Sequence, residues 1–209
     1  MDADILWQAA LALARRSRDV SPKPRDLPPL LFFTDPDRIK APWEIASRMP
    51  AGSCVVYRAF SRPDALETGQ RIAAACRANG VKLLVGRDET LARALEADGV
   101  HLPERDMARA TALRVQHPDW ILTCALHSLL QGPDCKGLDA FVVSPVFTAG
   151  GASASKPELG TSAFSAIVGS LPLPAYALGG ITPANAATLL DTGACGIAAV
   201  DAVARAFSQ

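Results

Sequence analysis

The chain has 209 residues, 49% of them hydrophobic, and its 21 basic and 21 acidic side chains leave a formal net charge of zero. This length fits one large domain or two small ones, with a substantial core. The balanced charge shows no basic excess of the kind that binds nucleic acid or anionic membranes. No apolar run reaches the roughly eighteen residues of a membrane span, so we expect neither a nucleic-acid partner nor a membrane.

Residues near the N-terminus predict a helix and a connector. Apolar side chains recur there at helical spacing, at Ile5, Leu6, Ala9, Ala10 and Leu13. We expect an added surface helix over 3–18, and its charges stand at the wrong ends for a signal peptide. A proline-rich stretch follows at 20–30. We therefore divide the chain into a helix with its connector, 1–27, and one larger domain, 28–209.

Eight short apolar runs follow, most of them separated by segments of helical periodicity. They lie at 30–34, 54–58, 81–85, 99–102, 120–126, 140–146, 174–180 and 195–200. Strands that are apolar throughout, rather than at alternate positions, are covered on both faces, as in a parallel sheet flanked by helices. Eight strand–helix units in about 200 residues fit an α/β fold, a (β/α)8 TIM barrel with an extra N-terminal helix. The alternative is a doubly wound open sheet, although no GxGxxG sequence follows the first run.

Two of the intervening segments carry clear helix signals. The segment 62–80 has a proline near its start and ends on Asn-Gly, a common C-terminal stop. The segment 182–194 opens with Thr182 as a candidate N-cap and Pro183 at the first helical position. We expect a helix over each segment.

The five cysteines predict a reduced, cytoplasmic protein. None forms a CxxC pair, and three of them, Cys54, Cys124 and Cys195, lie inside apolar runs. Buried thiols in a cytoplasmic chain explain this pattern more simply than disulfides or metal ligands do.

Candidate functional residues stand where strands end, because the loops at the carboxyl ends of the strands carry the site in such a barrel. Gly179 and Gly180 end the seventh run. They either let backbone N–H groups approach a phosphate or only form a tight turn. His127 ends the fifth run, where a histidine can exchange protons near neutral pH or simply pack.

Other polar residues near the strand ends suit structural roles. His101 lies within a four-residue run and is expected to be structural, and His117 is expected to be solvated. Asp106 follows the fourth run and is a candidate N-cap for the next helix, while Asp35 suits a turn.

Six segments occur in a fixed order, namely LLFFTD, ADGVHLPERDM, HS, VVSPVF, PAYALGGIT and TGACGIAAVDAV. Together they resemble the thiamine phosphate synthase and thiazole tautomerase superfamily over about residues 28–205. The resemblance implies a (β/α)8 barrel that binds a small molecule, a thiazole phosphate, at its C-terminal face. The oligomeric state stays open, with a homodimer among the states allowed.

The resemblance also implies roles for individual residues. His127 matches the acid–base histidine of the tautomerase branch, and Asp106 matches one of two magnesium ligands of the synthase. The candidates for binding substrate or phosphate are Arg58, Arg87, Thr148, Lys156, Gly179, Gly180, Val200 and Asp201. We expect an anion near the N–H groups of the glycine pair and of 199–201. Asp201 stands where the family usually has serine, and its carboxylate would repel a phosphate.

The chain departs from the synthase pattern around the diphosphate and the metal. Phe60 replaces a lysine, Gly86 and Arg87 replace an Asn-Asp pair that supplies a magnesium ligand, and Ala125 replaces a serine. A guanidinium cannot hold magnesium and is expected to pair with Asp106 instead. We therefore expect no cofactor, and magnesium would take part only if the chain acts as a synthase.

Three functions remain open at this point. The favoured one is a thiazole tautomerase-like proton transfer, which needs one acid–base group and a phosphate cradle. The second is a thiamine phosphate synthase that joins a pyrimidine diphosphate to a thiazole phosphate. It would use Asp88 as a substitute metal ligand, or Arg58, Arg87 and Lys156 as a metal-free clamp. The third is a non-catalytic barrel that binds a ligand and regulates.

Overall fold

Eight parallel strands close into a barrel in the order of the chain. The computed structural model describes residues 1–20, 26–127, 135–150 and 156–208. The strands are β1 Leu30–Phe33, β2 Cys54–Tyr57, β3 Lys82–Gly86, β4 Gly99–Leu102, β5 Ile121–Leu126, β6 Ala140–Val143, β7 Ala175–Leu178 and β8 Gly196–Ala199. Strand β1 pairs with both β2 and β8, so the sheet has no free edge. The TIM-barrel prediction is confirmed, and the open-sheet alternative is wrong.

Helices cover the outside of the barrel. They are α1 Asp2–Val20, α2 Pro42–Ala46, α3 Ala65–Asn79, α4 Glu89–Ala94, α5 Arg109–Gln116, α6 Gly160–Ser170 and α7 Asp201–Ala206, with 3-10 helices at Glu104–Asp106 and Ala186–Leu189. Helix α3 ends as expected, because Gly80 adopts a left-handed conformation with a φ of 64° and its N–H bonds to the Cys76 carbonyl.

The helix predicted over 182–194 is wrong, since this stretch forms turns and one short 3-10 helix. The reason lies in Asn185, whose side chain accepts from the Thr182 N–H at 2.7 Å and donates to the Gly180 carbonyl at 2.9 Å. Such side-chain bonds offer the backbone an alternative to a helix. No full helix N-terminus therefore follows the glycine pair.

The added N-terminal helix is confirmed, and α1 packs on the barrel through part of its predicted apolar stripe. Leu6, Ala10 and Leu13 are buried, whereas Ile5, which was expected on the same face, is 43% exposed. The buried residues join the large cluster between the strands and the helices. Residues 21–25 of the proline-rich connector lie outside the described residues, so the division at residue 27 stays a prediction.

Alternate strand residues divide the core into two layers. The layer inside the barrel includes Leu31, Phe33, Val56, Leu84, Val142, Tyr176 and Ala198. The residues between them join the outer cluster beneath the helices, which explains why the runs are apolar throughout. The period of two continues beyond the strand ends. By this alternation, inward-facing positions at the C-terminal mouth are occupied by Arg58, Gly86 and Ser144.

The five cysteines carry reduced thiols. Four of them are buried, and Cys135 is half-buried. Burial raises the pKa of the Cys76 and Cys124 thiols to about 12, so both are protonated at neutral pH. These side chains therefore act as small apolar groups in the core.

Candidate active site

Two neighbouring pockets open at the C-terminal mouth. The larger, about 620 Å³, lies beside the ends of β2, β3 and β4, and we call it the arginine pocket after Arg58, Arg87, Arg105 and Arg109. The smaller, about 110 Å³, lies beside the ends of β7 and β8, and we call it the glycine pocket after Gly179, Gly180, Val200 and Asp201. Arg58 lines both, so it stands between them.

The glycine pair forms a left-handed turn that lines the glycine pocket. The φ angles of Gly179 and Gly180 are 102° and 64°. A Cβ on Gly179 would lie 2.8 Å from the Pro145 Cβ, and one on Gly180 would lie 2.4 Å from the Thr148 carbonyl oxygen. The pair therefore forms a tight turn against which the loop after β6 packs closely. Its backbone borders a space large enough for a phosphate.

The carboxylate of Asp201 borders the glycine pocket but is paired with a cation. Its Oδ2 accepts from Arg38 Nη1 at 2.7 Å, and Arg38 Nε and Nη2 both lie 2.9 Å from Asp35 Oδ2. Burial opposes ionisation of Asp35, but the hydrogen bond and charge of Arg38, the Asp37 N–H and the charge of Arg58 together outweigh it and lower the pKa of that carboxyl. One guanidinium thus holds two carboxylates at the pocket edge, which reduces the expected repulsion of a phosphate.

Arg58 brings a buried and incompletely satisfied guanidinium to the mouth. The backbone N–H of Arg58 donates to Thr34 Oγ1 at 2.9 Å, and the side-chain Nε donates to the Thr34 carbonyl at 2.7 Å. Within the described part of the chain its Nη2 is buried without a hydrogen-bond partner, 3.9 Å from Asp35 Oδ2. Burial lowers the pKa of Arg58, while Asp35 opposes that shift. A buried donor without a partner is the kind of group that a ligand satisfies.

In the arginine pocket the expected pair between Arg87 and Asp106 is confirmed. Arg87 Nε donates to Asp106 Oδ2 at 2.9 Å, and Arg109 Nη1 lies 4.0 Å from the same oxygen. Asp106 lies in a 3-10 helix and does not cap α5, which begins at Arg109 after Ala108. The capping prediction is therefore wrong, because the carboxylate turns toward the arginines.

The residues present do not fit a magnesium site. Magnesium takes oxygen ligands, and the retained carboxylate of Asp106 is bonded to Arg87. Asp88, the substitute considered from the sequence, accepts from the Leu91 N–H at 2.9 Å as the N-cap of α4. Across the described ranges, no group of three His, Cys, Asp or Glu side chains could hold a metal ion.

His127 lies just beyond β5 and is held by two neighbouring loops. The backbone N–H of His127 donates to Glu104 Oε2 at 3.0 Å. The ring Nδ1 lies 3.1 Å from both the carbonyl oxygen and the Oγ of Ser144. A proton on Nδ1 donated to the Ser144 carbonyl leaves Nε2 as the basic nitrogen. The sequence reasoning missed both partners, although the position of Ser144 directly after β6 was a usable signal.

The other two histidines have structural partners. His101 is buried inside the barrel, 2.9 Å from Thr123 Oγ1 and edge-on to Phe33, which agrees with the structural role expected. Burial, followed by the charges of Arg58 and His127, lowers its pKa to about 3. His117 was expected to be solvated, and this is wrong, because it is half-buried and stacks on Trp120 with ring centroids 3.6 Å apart.

The loop after β6 is described only at its two ends. The N–H and hydroxyl of Thr148 both donate to the Glu158 carboxylate, so an internal anion engages the donors predicted for a phosphate. Lys156 is exposed. Residues 151–155, between them, lie outside the described residues.

Sequence comparisons find thiamine-biosynthesis proteins. A family described as "Thiamine monophosphate synthase" matches residues 30–203. The "Thiamine biosynthesis bifunctional protein ThiM/ThiE" of Symbiobacterium thermophilum is 32% identical over 178 residues, which cover 81% of this chain and 35% of that protein. The "Thiamine-phosphate synthase" of Chlorobium luteolum is 33% identical over 135 residues, 64% of each chain. The chain thus matches less than two thirds of the length of these relatives.

The fold also matches a solved structure, thiamine phosphate pyrophosphorylase from Pyrococcus furiosus. The TM-score is 0.68 at 24% sequence identity, over 86% of this chain and 91% of that one. This likeness supports the barrel architecture. None of the helices in the described ranges has the length and apolar character needed to cross a membrane.

Proposed function

Because the chain belongs to the thiamine monophosphate synthase family, we propose that it is an enzyme that binds a thiazole phosphate at the barrel mouth and shifts a proton within it. The observation that supports this reaction is the arrangement around His127. Its Nδ1 is oriented by Ser144 at 3.1 Å, while the metal position expected for diphosphate chemistry is filled by the Arg87–Asp106 pair.

The proton transfer needs a base and an acid at one place. His127, with Nδ1 bonded to the Ser144 carbonyl, takes a proton on Nε2 from one ring position of the thiazole carboxylate phosphate. The resulting imidazolium returns a proton to another position, so the substrate and product differ only in where that hydrogen sits. Ser144 acts as a positioning residue, because its carbonyl selects the tautomer and orients the ring.

The phosphate of this substrate is assigned to the glycine pocket. That pocket combines the backbone of Gly179, Gly180 and 199–201 with the buried guanidinium of Arg58. Backbone N–H groups and a guanidinium are the donors that phosphates accept. Anchoring the phosphate there fixes the ring relative to the mouth, which is the positioning that proton transfer requires.

A second candidate is the synthase reaction itself, in which a pyrimidine diphosphate alkylates the thiazole phosphate and diphosphate leaves. The size of the arginine pocket and its four guanidinium groups favour this reading, since the leaving group carries several negative charges. The synthase reaction is disfavoured because Arg87 stands where a carboxylate ligand for magnesium is expected. The regulatory barrel without catalysis has no observation of its own in its favour.

Incubation of the purified protein with the thiazole carboxylate phosphate in D2O tests the proposal, with isomer ratio and deuterium uptake followed by NMR. We expect His127→Asn to lower the exchange rate about a hundred- to ten-thousand-fold, as loss of a general acid–base does. The control is His117→Asn, because His117 stacks on Trp120 and lines neither pocket, so its loss should leave the rate unchanged.

The same samples, supplied with the pyrimidine diphosphate, separate the candidate functions. Release of diphosphate with formation of thiamine phosphate, and no isomerisation, would overturn the proton-transfer proposal in favour of the synthase. Ligand binding with neither reaction would leave the regulatory barrel.

A further inference from the structure

We propose that the arginine pocket is a metal-free site for a diphosphate-class anion, in which the Arg87 guanidinium stands where related enzymes would use a divalent cation. This inference concerns the pocket beside β2–β4 and does not depend on the proton transfer assigned to His127. It arises from the disagreement between the metal expected from the family resemblance and the residues that this chain presents.

Positive charge exceeds negative charge in this pocket. Four arginines line it, against the carboxylates of Asp88 and Glu89. Both carboxylates have other partners, since Asp88 caps α4 and Glu89 lies 3.1 Å from His117 Nε2. Asp106 adds one further negative charge, which Arg87 and Arg109 share. A pocket with this balance attracts an anion rather than a cation.

The local backbone holds Arg87 toward Asp106. Arg87 has a φ of 67°, a left-handed conformation that is uncommon for a residue with a side chain. Two hydrogen bonds secure it, from the Arg87 N–H to the His101 carbonyl at 2.8 Å and from Arg109 Nη1 to the Arg87 carbonyl at 3.2 Å. Unusual backbone of this kind persists where its surroundings maintain it, and it concentrates at ligand sites.

The bond to Asp106 uses Arg87 Nε, so the Nη groups are the ones that a ligand can engage. The side chain is 61% exposed, whereas that of Asp106 is 17% exposed. Asp106 is thus the fixed partner and Arg87 the group presented to the pocket. A guanidinium can donate two parallel hydrogen bonds to phosphate oxygens, which gives directional contacts as well as charge.

Arg58, which follows β2 and lies beside Gly86, supplies a second cation to the same pocket. Its buried Nη2 has no hydrogen-bond partner among the described residues. The ring of Phe60, which is 65% exposed, lies with its centroid 5.3 Å from the Arg58 Cζ. Several cations that line one cavity of about 620 Å³ suit an anion with two charged groups better than a single phosphate.

Calorimetric titration with inorganic pyrophosphate tests this site. We expect saturable binding in EDTA, weaker binding of inorganic phosphate, and no gain on adding Mg²⁺. The variant Arg87→Asp should lose about ten- to a hundred-fold in affinity in EDTA, the effect of removing a charged hydrogen-bonding group. Because it places a carboxylate beside Asp106, it should also recover part of that affinity when Mg²⁺ is added.

Arg93→Asp is the matched control, because it makes the same charge change on the exposed side of α4. If Arg87→Asp does not fold, Arg87→Ala replaces it in the affinity measurement, and circular dichroism checks that this variant is folded. Pyrophosphate binding that requires Mg²⁺ in the wild type, or that survives both Arg87 variants, would overturn the proposal. Equal losses in Arg93→Asp would do the same. Proton exchange by His127 is measured separately, so either proposal can fail without the other.

Discussion

The two pockets at the barrel mouth differ in the groups that line them. The glycine pocket is made largely of backbone, and its charged side chains balance one another through Arg38. The arginine pocket is made of long side chains and carries a positive excess. Gly179 and Gly180 follow the pattern of the family resemblance, although Asp201 in the same pocket departs from it, whereas the departures at Phe60, Gly86 and Arg87 border the arginine pocket.

This difference follows from packing. A glycine that lies within 3 Å of a neighbouring loop cannot gain a side chain without moving that loop. An exposed arginine at a pocket wall can be exchanged for another residue with little effect on the core. One barrel can therefore keep a rigid glycine turn while the chemistry of the adjoining pocket changes.

The largest expected effect tests the packing of the glycine pocket. Gly180→Ala would place a Cβ 2.4 Å from the Thr148 carbonyl oxygen at a φ of 64°. Left-handed strain of about 1–2 kcal/mol and overpacking of about 1–3 kcal/mol both lower the free energy of unfolding. Urea denaturation measures the change. Gly150→Ala is the control, because no atom of the described residues lies within 4 Å of the Cβ that it would add. Equal losses in both variants would contradict the packing argument.

The second prediction tests the burial of His101 at the arginine pocket. The folded-state pKa of His101 is lowered from 6.5 to about 3, first by burial and then by Arg58 and His127. Between these values the unfolded chain binds one more proton than the folded one. Stability from this group is therefore complete above pH 6.5 and falls with decreasing pH, by at most about 1.4 kcal/mol per unit.

Urea denaturation of the wild type and of His101→Asn at pH 7 and pH 5 measures this dependence. The asparagine can still bond to Thr123, the partner of His101 at 2.9 Å, but cannot titrate. We expect a smaller loss of stability between the two pH values in the variant. Equal losses in both proteins would show that His101 is not the group responsible.

The smallest expected effect concerns charge at the glycine pocket. Asp201→Ser removes a carboxylate and frees Arg38, so inorganic phosphate should bind about fivefold more tightly, the equivalent of about 1 kcal/mol for one solvated charge pair. Calorimetry in an Arg87→Asp background restricts the measurement to this pocket. Asp191→Ser, at a side chain that is 94% exposed, is the control. Weaker binding would mean that Asp201 is needed to hold Arg38 in place.

By itself, the sequence determined the barrel, the added helix and one contact of the site. Eight apolar runs specify eight buried strands because burial of apolar surface is a local property of each run. The pair between Arg87 and Asp106 was predictable because the two residues follow adjacent parallel strands, whose carboxyl ends meet at one edge.

Tertiary structure alone decided the remaining contacts of the mouth. Arg38 and Asp201 are 163 positions apart, and they meet only because β1 pairs with β8. The partner of His127 depends in the same way on the neighbouring loop after β6. Closure of a barrel brings together loops from distant segments, and no local spacing in the chain records which of their side chains will touch.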